Sequence, residues 1–160
     1  MAASVEPVPE RLHTVTPRLV FSHDATAALH FYVEAFAAEV VDEPFLDPDG
    51  NVVHAEVRFG DSIVFLTDEG GDGEGVAPSS VGGAVTAMLA LNIPDVDALW
   101  ERAVSAGCEV IYPLADQFYG DRGGRLRDPF GHQWMLSTHV EDVDRDELDR
   151  RMQAWSDEQS

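Results

Sequence analysis

Sliding the 160-residue chain along itself by 70 positions superposes Val15 on Val85, Thr16 on Thr86, Leu19 on Leu89, Ala28 on Ala98 and Leu29 on Leu99. The same gapless register brings Glu39 onto Glu109, Val40 onto Val110, Gly50 onto Gly120 and Leu66 onto Leu136. One offset serves helix-like and strand-like stretches alike, so the chain reads as a duplicated unit. Its length suits one ordinary domain and is short for two independent cores of usual size.

Within the first copy, His13 to Phe21 reads as a strand. The run ATAALHFYVEAFAAEV then repeats Ala28, Leu29, Tyr32, Phe36 and Val40 near the helical period, with Asp24 in the N-cap place. EVVDEPF follows, then a turn at Asp47-Pro48-Asp49-Gly50, then two strand-like runs, NVVHAEVRF and SIVFLT, parted by Gly60-Asp61. The order is β-α-β-β-β. The second copy repeats it with VTAMLALNI, the helix DVDALWERAVSAG, CEVIYPL, a Gly-rich stretch and HQWMLSTH. Residues 69–85 are rich in Gly and Ser, which favours a mobile connection over packed structure. Residues 1–12 carry Pro7 and Pro9 without apolar periodicity and read as a flexible leader. Near the other end, EDVDRDELDRRMQAW sets Leu148, Met152 and Trp155 on one helical face, with Asp144 and Glu147 spaced like a capping box.

The expected class is α+β. One domain spans 13–158, with module one at 13–68, a linker at 69–85, module two at 86–140 and a C-terminal helix at 143–156.

Thirty acidic residues against ten basic ones give a formal net charge of −20, a field that repels phosphate backbones and anionic headgroups. Nucleic acid and membrane surfaces are therefore not expected partners. Cys108 is the single cysteine, so no internal disulfide can form. No apolar stretch approaches the roughly 20 residues of a membrane span. The start, MAASVEPVPERLHT, lacks the basic and apolar regions of a signal peptide, and the reading is cytoplasmic.

A tandem βαβββ order, with FYVEAF in the first helix and DPFGH before the last strand, resembles the glyoxalase/bleomycin-resistance/dioxygenase (vicinal oxygen chelate) superfamily. TPRLVF, HAEVRFGDS and YGDRGGRLRDPFGHQWMLSTHVEDV are similar to its PhnB-like branch. The resemblance implies tandem modules forming curled mixed sheets with flanking helices, and a homodimer with a pocket shared between subunits. In the superfamily's metalloenzymes, ligands from the first and last strands of both modules hold a divalent ion that acts as a Lewis acid. Those places fall here on Thr16 or Pro17 and Phe65 in module one, and on Ala87 or Met88 and Met135 in module two. None is a ligand suited to such ions, although a Met sulfur can bind soft ones. No metal and no cofactor are expected, and glyoxalase I activity is not expected either.

Strand alternation indicates what could line the troughs. Val53, Ala55, Val57 and Phe59 form an apolar row toward the helix, leaving His54, Glu56 and Arg58 on the opposite face. Ile63, Phe65 and Thr67 share a face in module one, as do Gln133, Met135 and Ser137 in module two. The candidate catalytic residues are His54 and Glu56, which could form an acid/base couple, share a relocated metal, or be a plain cross-strand pair. Candidate ligand-binding residues are Phe65, Met135, Gln133, Arg58, Tyr119, Arg122 and Trp100. Tyr119 and Arg122 could orient ligand oxygens, or Asp121 and Arg122 could simply tie a loop. His132 reads as a backbone partner beside the DPFG turn, and Cys108 as a small buried residue.

The function expected is metal-independent binding of a small molecule, such as sequestration of an antibiotic or metabolite. The alternative is an isomerase or lyase on the same scaffold, using His54 and Glu56 or a relocated metal.

Overall fold

The computed structural model describes residues 6–70 and 75–158. The expectations for residues 1–5 and 71–74, in the leader and the linker, lie outside the described residues. The chain divides into two compact units, Met1–Ala84 and Val85–Ser160. The architecture is α+β, with one mixed sheet in each unit.

The first unit runs β1 (Arg18–Phe21), α1 (Ala25–Phe36), β2 (Glu39–Val40), β3 (Phe45–Leu46), β4 (Val52–Phe59) and β5 (Ser62–Asp68). Its sheet has the order β1-β5-β4-β2, with β3 also on β4; β1 is parallel to β5 and the other pairs are antiparallel. Helix α1 buries Ala25, Ala28, Leu29, Tyr32, Ala35 and Phe36. Tyr32 and Phe36 meet Phe59 with ring centres 5.6 and 6.2 Å apart. With Phe21, Val57 and Leu66 these rings make the core, each large side chain contributing about 1.5–3 kcal/mol of apolar burial.

The second unit runs β6 (Met88–Asn92), α2 (Val96–Ala106), β7 (Glu109–Asp116), β8 (Asp121–Arg127), β9 (Gln133–His139) and α3 (Arg145–Glu158). Its sheet order is β6-β9-β8-β7, again with the first strand parallel to the last. Trp134, Leu126 and Leu136 are buried. Asp128, itself buried, organises the DPFG turn by accepting hydrogen bonds from the Phe130 and His132 amides and from Trp134 Nε1. Among the described residues, no helix is long and apolar enough to cross a membrane.

Several sequence expectations change here. The first strand begins at Arg18, not His13, because Pro17 has no N–H to give a ladder; its carbonyl instead accepts from the Phe65 amide. Helix α1 stops at Phe36, where Ala37 turns into the left-handed region, so Val40 belongs to β2. Asp24 occupies the N-cap position without a capping bond from its side chain. The cap comes from the far end of β5, where the Asp68 carboxylate accepts from Ala25 N at 2.9 Å and Val52 N at 2.8 Å. Its counterpart in the second unit, Thr138, accepts from Val96 N at 2.9 Å. The last strand of each copy thus caps that copy's helix.

The proposed apolar row of β4 also breaks. Ala55, Val57 and Phe59 are buried, but Val53 is 55% exposed and Val52 is buried in its place. The pairing of β3 with β4 shifts register between Phe45 and Leu46, from His54 to Val52, so the strand holds a bulge there. That extra residue upsets the gapless repeat as well. The turns at Gly50 and Gly120 correspond, yet beyond the bulge the Cα partner of Phe65 is Glu56 while that of Met135 is Arg125. Glu56 and Arg125 are therefore structural equivalents, one position off the sequence register.

The Gly-rich run after Tyr119 is not a loop. It is β8, and its glycines permit close approach. A Cβ on Gly124 would fall 2.6 Å from the Trp100 ring, and one on Gly123 would fall 2.8 Å from the Leu136 carbonyl. The connection between the copies is also more structured than its composition suggested: Pro78–Val81 form a short 3-10 turn, and the Glu69 carboxylate accepts from Ala77 N and Ser80 Oγ. Asp144 accepts from Glu147 N, starting α3 at the place its capping pattern marked.

Candidate functional site

One face of each sheet packs against its helix; the other carries His54, Glu56, Phe65 and Met135. In the first unit that second face is set by register. Arg18, Phe65 and Glu56 are Cα partners across β1, β5 and β4, and Arg58 pairs with Ile63 two residues along. The His54 ring lies edge-on to Phe65, with centres 4.7 Å apart, and the Arg18 guanidinium sits 5.9 Å from the Phe65 centre.

His54 and Glu56 do meet, Nε2 to Oε1 at 3.3 Å, but Glu56 is already engaged. Arg11 donates to it through a fork, Nε to Oε2 at 3.0 Å and an Nη to Oε1 at 2.8 Å. The Glu56 side chain is only 8% exposed, and the fork is its principal stabiliser. Hydrogen bonding to Arg11 holds its carboxyl below the usual range, with His54 adding in the same direction against the cost of burial. A carboxylate made less basic and shielded by a guanidinium is poorly placed to remove a proton or hold a metal ion. Arg58 faces Glu39 at the sheet edge, 3.6 Å away. Two cavities open on this unit, about 430 Å³ beside Val20, Asn51 and Thr67 and about 270 Å³ beside Arg11, Phe45, His54 and Glu56.

In the second unit the corresponding face is a row of Cα partners running Tyr112, Arg125, Met135 and Ala90 across four strands. The next row holds Gly123, Ser137 and Asn92. These residues, joined by Gln117 and Tyr119 from the turn between β7 and β8 and by Asp121 at the start of β8, line a cavity of about 380 Å³. A side chain at Gly123 would meet the Ser137 Cβ at 3.1 Å, so the glycine keeps the floor of the cavity open.

The structure brings Met135 and Tyr119 together at this cavity. Gln133 shares the face of Met135 but sits beyond the cavity, paired with Met88 and Arg127. Trp100 and Arg122 fall elsewhere. Trp100 packs on the helix side of Gly124. Arg122 ties the start of α2 to the sheet through Asp97 at 2.7 and 2.9 Å, and bonds Asp116 of β7 at 3.1 Å. Phe65 lies in the other unit. Cys108 is buried, and desolvation pushes its thiol up to about 12, which leaves no thiolate for nucleophilic work near neutral pH.

Sequence reasoning missed Arg11, placed in a segment read as leader, and the pair Tyr112 and Arg125. The alternation in Arg125-Leu126-Arg127 was a strand signal, hidden by the glycines before it.

The superfamily's metal places can be tested against these residues. The sequence register put the first-strand places at Thr16 or Pro17 and at Ala87 or Met88, whereas the parallel ladders set Arg18 opposite Phe65 and Ala90 opposite Met135. A guanidinium, a phenyl ring, a methyl group and a thioether do not make a site for a hard divalent ion. Among the described residues no group of three or more His, Cys, Asp or Glu could hold a metal ion.

The model of the Glyoxalase/Bleomycin resistance protein/Dioxygenase superfamily matches residues 11–136. The chain belongs to that superfamily. An uncharacterized protein of Mycobacterium bovis is 39% identical to it over 161 residues, covering 98% of this chain and 99% of that one. Among solved structures, TioX from Micromonospora sp. ML1 shares the superfamily fold with a TM-score of 0.60 at 24% identity, over 82% of this chain and all (100%) of that chain. A PhnB protein from Bacillus cereus gives 0.58 at 19% identity, over 79% and 99% of the respective chains. The likeness to these two structures concerns the fold. Superfamily membership by itself leaves the chemistry open, because one fold hosts many functions.

Proposed function

We propose that this superfamily member is a metal-independent small-molecule binding protein whose ligand sits in the trough of the second unit. The observation that carries the reading is the cavity of about 380 Å³ over Gly123, where Tyr112, Tyr119 and Met135 supply apolar surface and Arg125, Asn92 and Gln117 supply fixed polar points. An apolar hollow with a few placed polar groups is the general form of a small-molecule site. Its size suits a metabolite or a compact antibiotic. A homodimer fits the same reading, since Phe45 and Tyr112 stand largely exposed on their sheets where a second subunit could cover them.

The rival enzyme reading draws only on the His54 contact with Glu56, and the Arg11 fork weakens it. The test is a thermal-shift screen of metabolites and antibiotics, followed by calorimetric titration in EDTA, with light scattering for mass. A ligand that raises the melting temperature and binds with unchanged affinity in EDTA supports the proposal. Binding only after a divalent ion is added, or turnover abolished by Glu56→Gln, would replace it with the enzyme reading.

A further inference from the structure

The chain has no lysine, and its ten arginines face 30 carboxylates. In such an excess of acid, an arginine without a carboxylate partner is conspicuous. In the second unit Arg122, Arg127, Arg145, Arg150 and Arg151 each lie within ion-pair distance of an Asp or Glu. Among the described residues, Arg125 has no carboxylate at that distance. Its guanidinium carbon lies 4.9 Å from the centre of the Tyr112 ring, and its Nε is buried with no acceptor. Arg125 also lines the cavity, between Tyr112 on one side and Met135 on the other.

A guanidinium presents five N–H donors in a planar fork that matches a carboxylate, and the ring beside it limits the orientations it can adopt. The structural equivalent in the first unit is Glu56, whose charge is met by Arg11. The second unit puts a cation in the same place, and among the described residues no carboxylate lies within ion-pair distance of it. The missing partner is then sought among ligands.

Resting on the small-molecule reading above, we propose that the second-unit trough selects an aromatic monocarboxylate, its acid group on Arg125 and its ring against Tyr112, Tyr119 and Met135. One negative charge is favoured over two. Only one arginine lines the cavity, the Asp121 carboxylate lines it too, and the chain as a whole carries a net charge of −20. A phosphomonoester would bring a second charge with no second cation to meet it.

The experiment follows the methyl resonance of Met135 by NMR while 1-naphthoate, 1-naphthamide or phenyl phosphate is titrated into wild type, Arg125→Gln and Arg125→Lys. Backbone spectra of each variant confirm that the fold is kept. The expected result is saturable binding of naphthoate, weakened about tenfold or more by Arg125→Gln and less by Arg125→Lys, with the amide and the phosphate weaker in wild type. Naphthamide binding as tightly as naphthoate, or naphthoate indifferent to Arg125→Gln, overturns the assignment of the acid group while leaving a small-molecule trough in place. Phenyl phosphate binding more tightly than naphthoate overturns the preference for a single charge. No response of Met135 to any of the three at millimolar concentration overturns both this proposal and the trough as binding site.

Discussion

Replacing Asp68 by alanine removes a carboxylate that joins the start of α1 to the start of β4. Its carboxylate accepts from Ala25 N at 2.9 Å and from Val52 N at 2.8 Å, and both residues are buried. Loss of a helix N-cap costs about 1 kcal/mol, and a buried amide left without an acceptor costs about 1–3 kcal/mol. Together the loss is about 2–4 kcal/mol, a large share of the stability of about 5–15 kcal/mol common for native proteins. In urea, with a slope of about 2 kcal/mol per molar, the midpoint should fall by roughly 1–2 M. Asp68→Thr installs the residue that the second unit uses at this place. Its hydroxyl can accept from Ala25 N as Thr138 does from Val96 N, so about 1 kcal/mol should return. Urea denaturation followed by circular dichroism measures all three proteins. A loss below about 0.5 kcal/mol for alanine, or no recovery with threonine, would refute the idea that the last strand caps the helix.

Other consequences are simpler to check. Met135→Asp should keep the fold and lose ligand binding, because its side chain borders the open cavity, whereas Leu136→Asp, one residue along and buried, should unfold the second unit; circular dichroism melts separate the two. The His139 imidazole has Nε2 on Asp142 and Nδ1 on Asp121, and those bonds raise its pKa above the ordinary value. Its contribution to stability should be complete below about pH 6.5 and fade as pH rises through the raised value. The difference in melting temperature between wild type and His139→Asn should accordingly shrink from pH 6 to pH 9, and a difference that grows with pH would contradict this. Cys108, with its thiol pushed up to about 12, should resist iodoacetamide in the native protein and react once urea unfolds it, as mass spectrometry would show.

The parts of this fold legible in the sequence are those governed by period and by paired signals. Tyr32, Phe36 and Leu29 announced a helix face, Gly60-Asp61 a hairpin, and the 70-residue self-match a duplication, because each depends on local chemistry repeated in register. The bulge in β4 was invisible. Val52 and Val53 are the same residue type, and only the pairing with β3 decides which is buried. Strand β8 was obscured for a related reason: Gly123 and Gly124 look like a loop until Trp100 and the β9 backbone occupy the space their side chains would need. At the site, alternation put Met135 and Ser137 on one face, and both line the second-unit cavity. It could not reveal that Glu56 is neutralised from the leader by Arg11, nor that Arg125 has no such partner among the described residues, since both depend on long-range contacts or their absence.

The claim at the centre of this account is that the second-unit trough binds a small molecule without a metal. Titrating 1-naphthoate against the Met135 methyl resonance, once in EDTA and once with added zinc or manganese, tests both halves together. The account predicts a saturable shift with the same affinity in either condition, and a shift that depends on the divalent ion would contradict it.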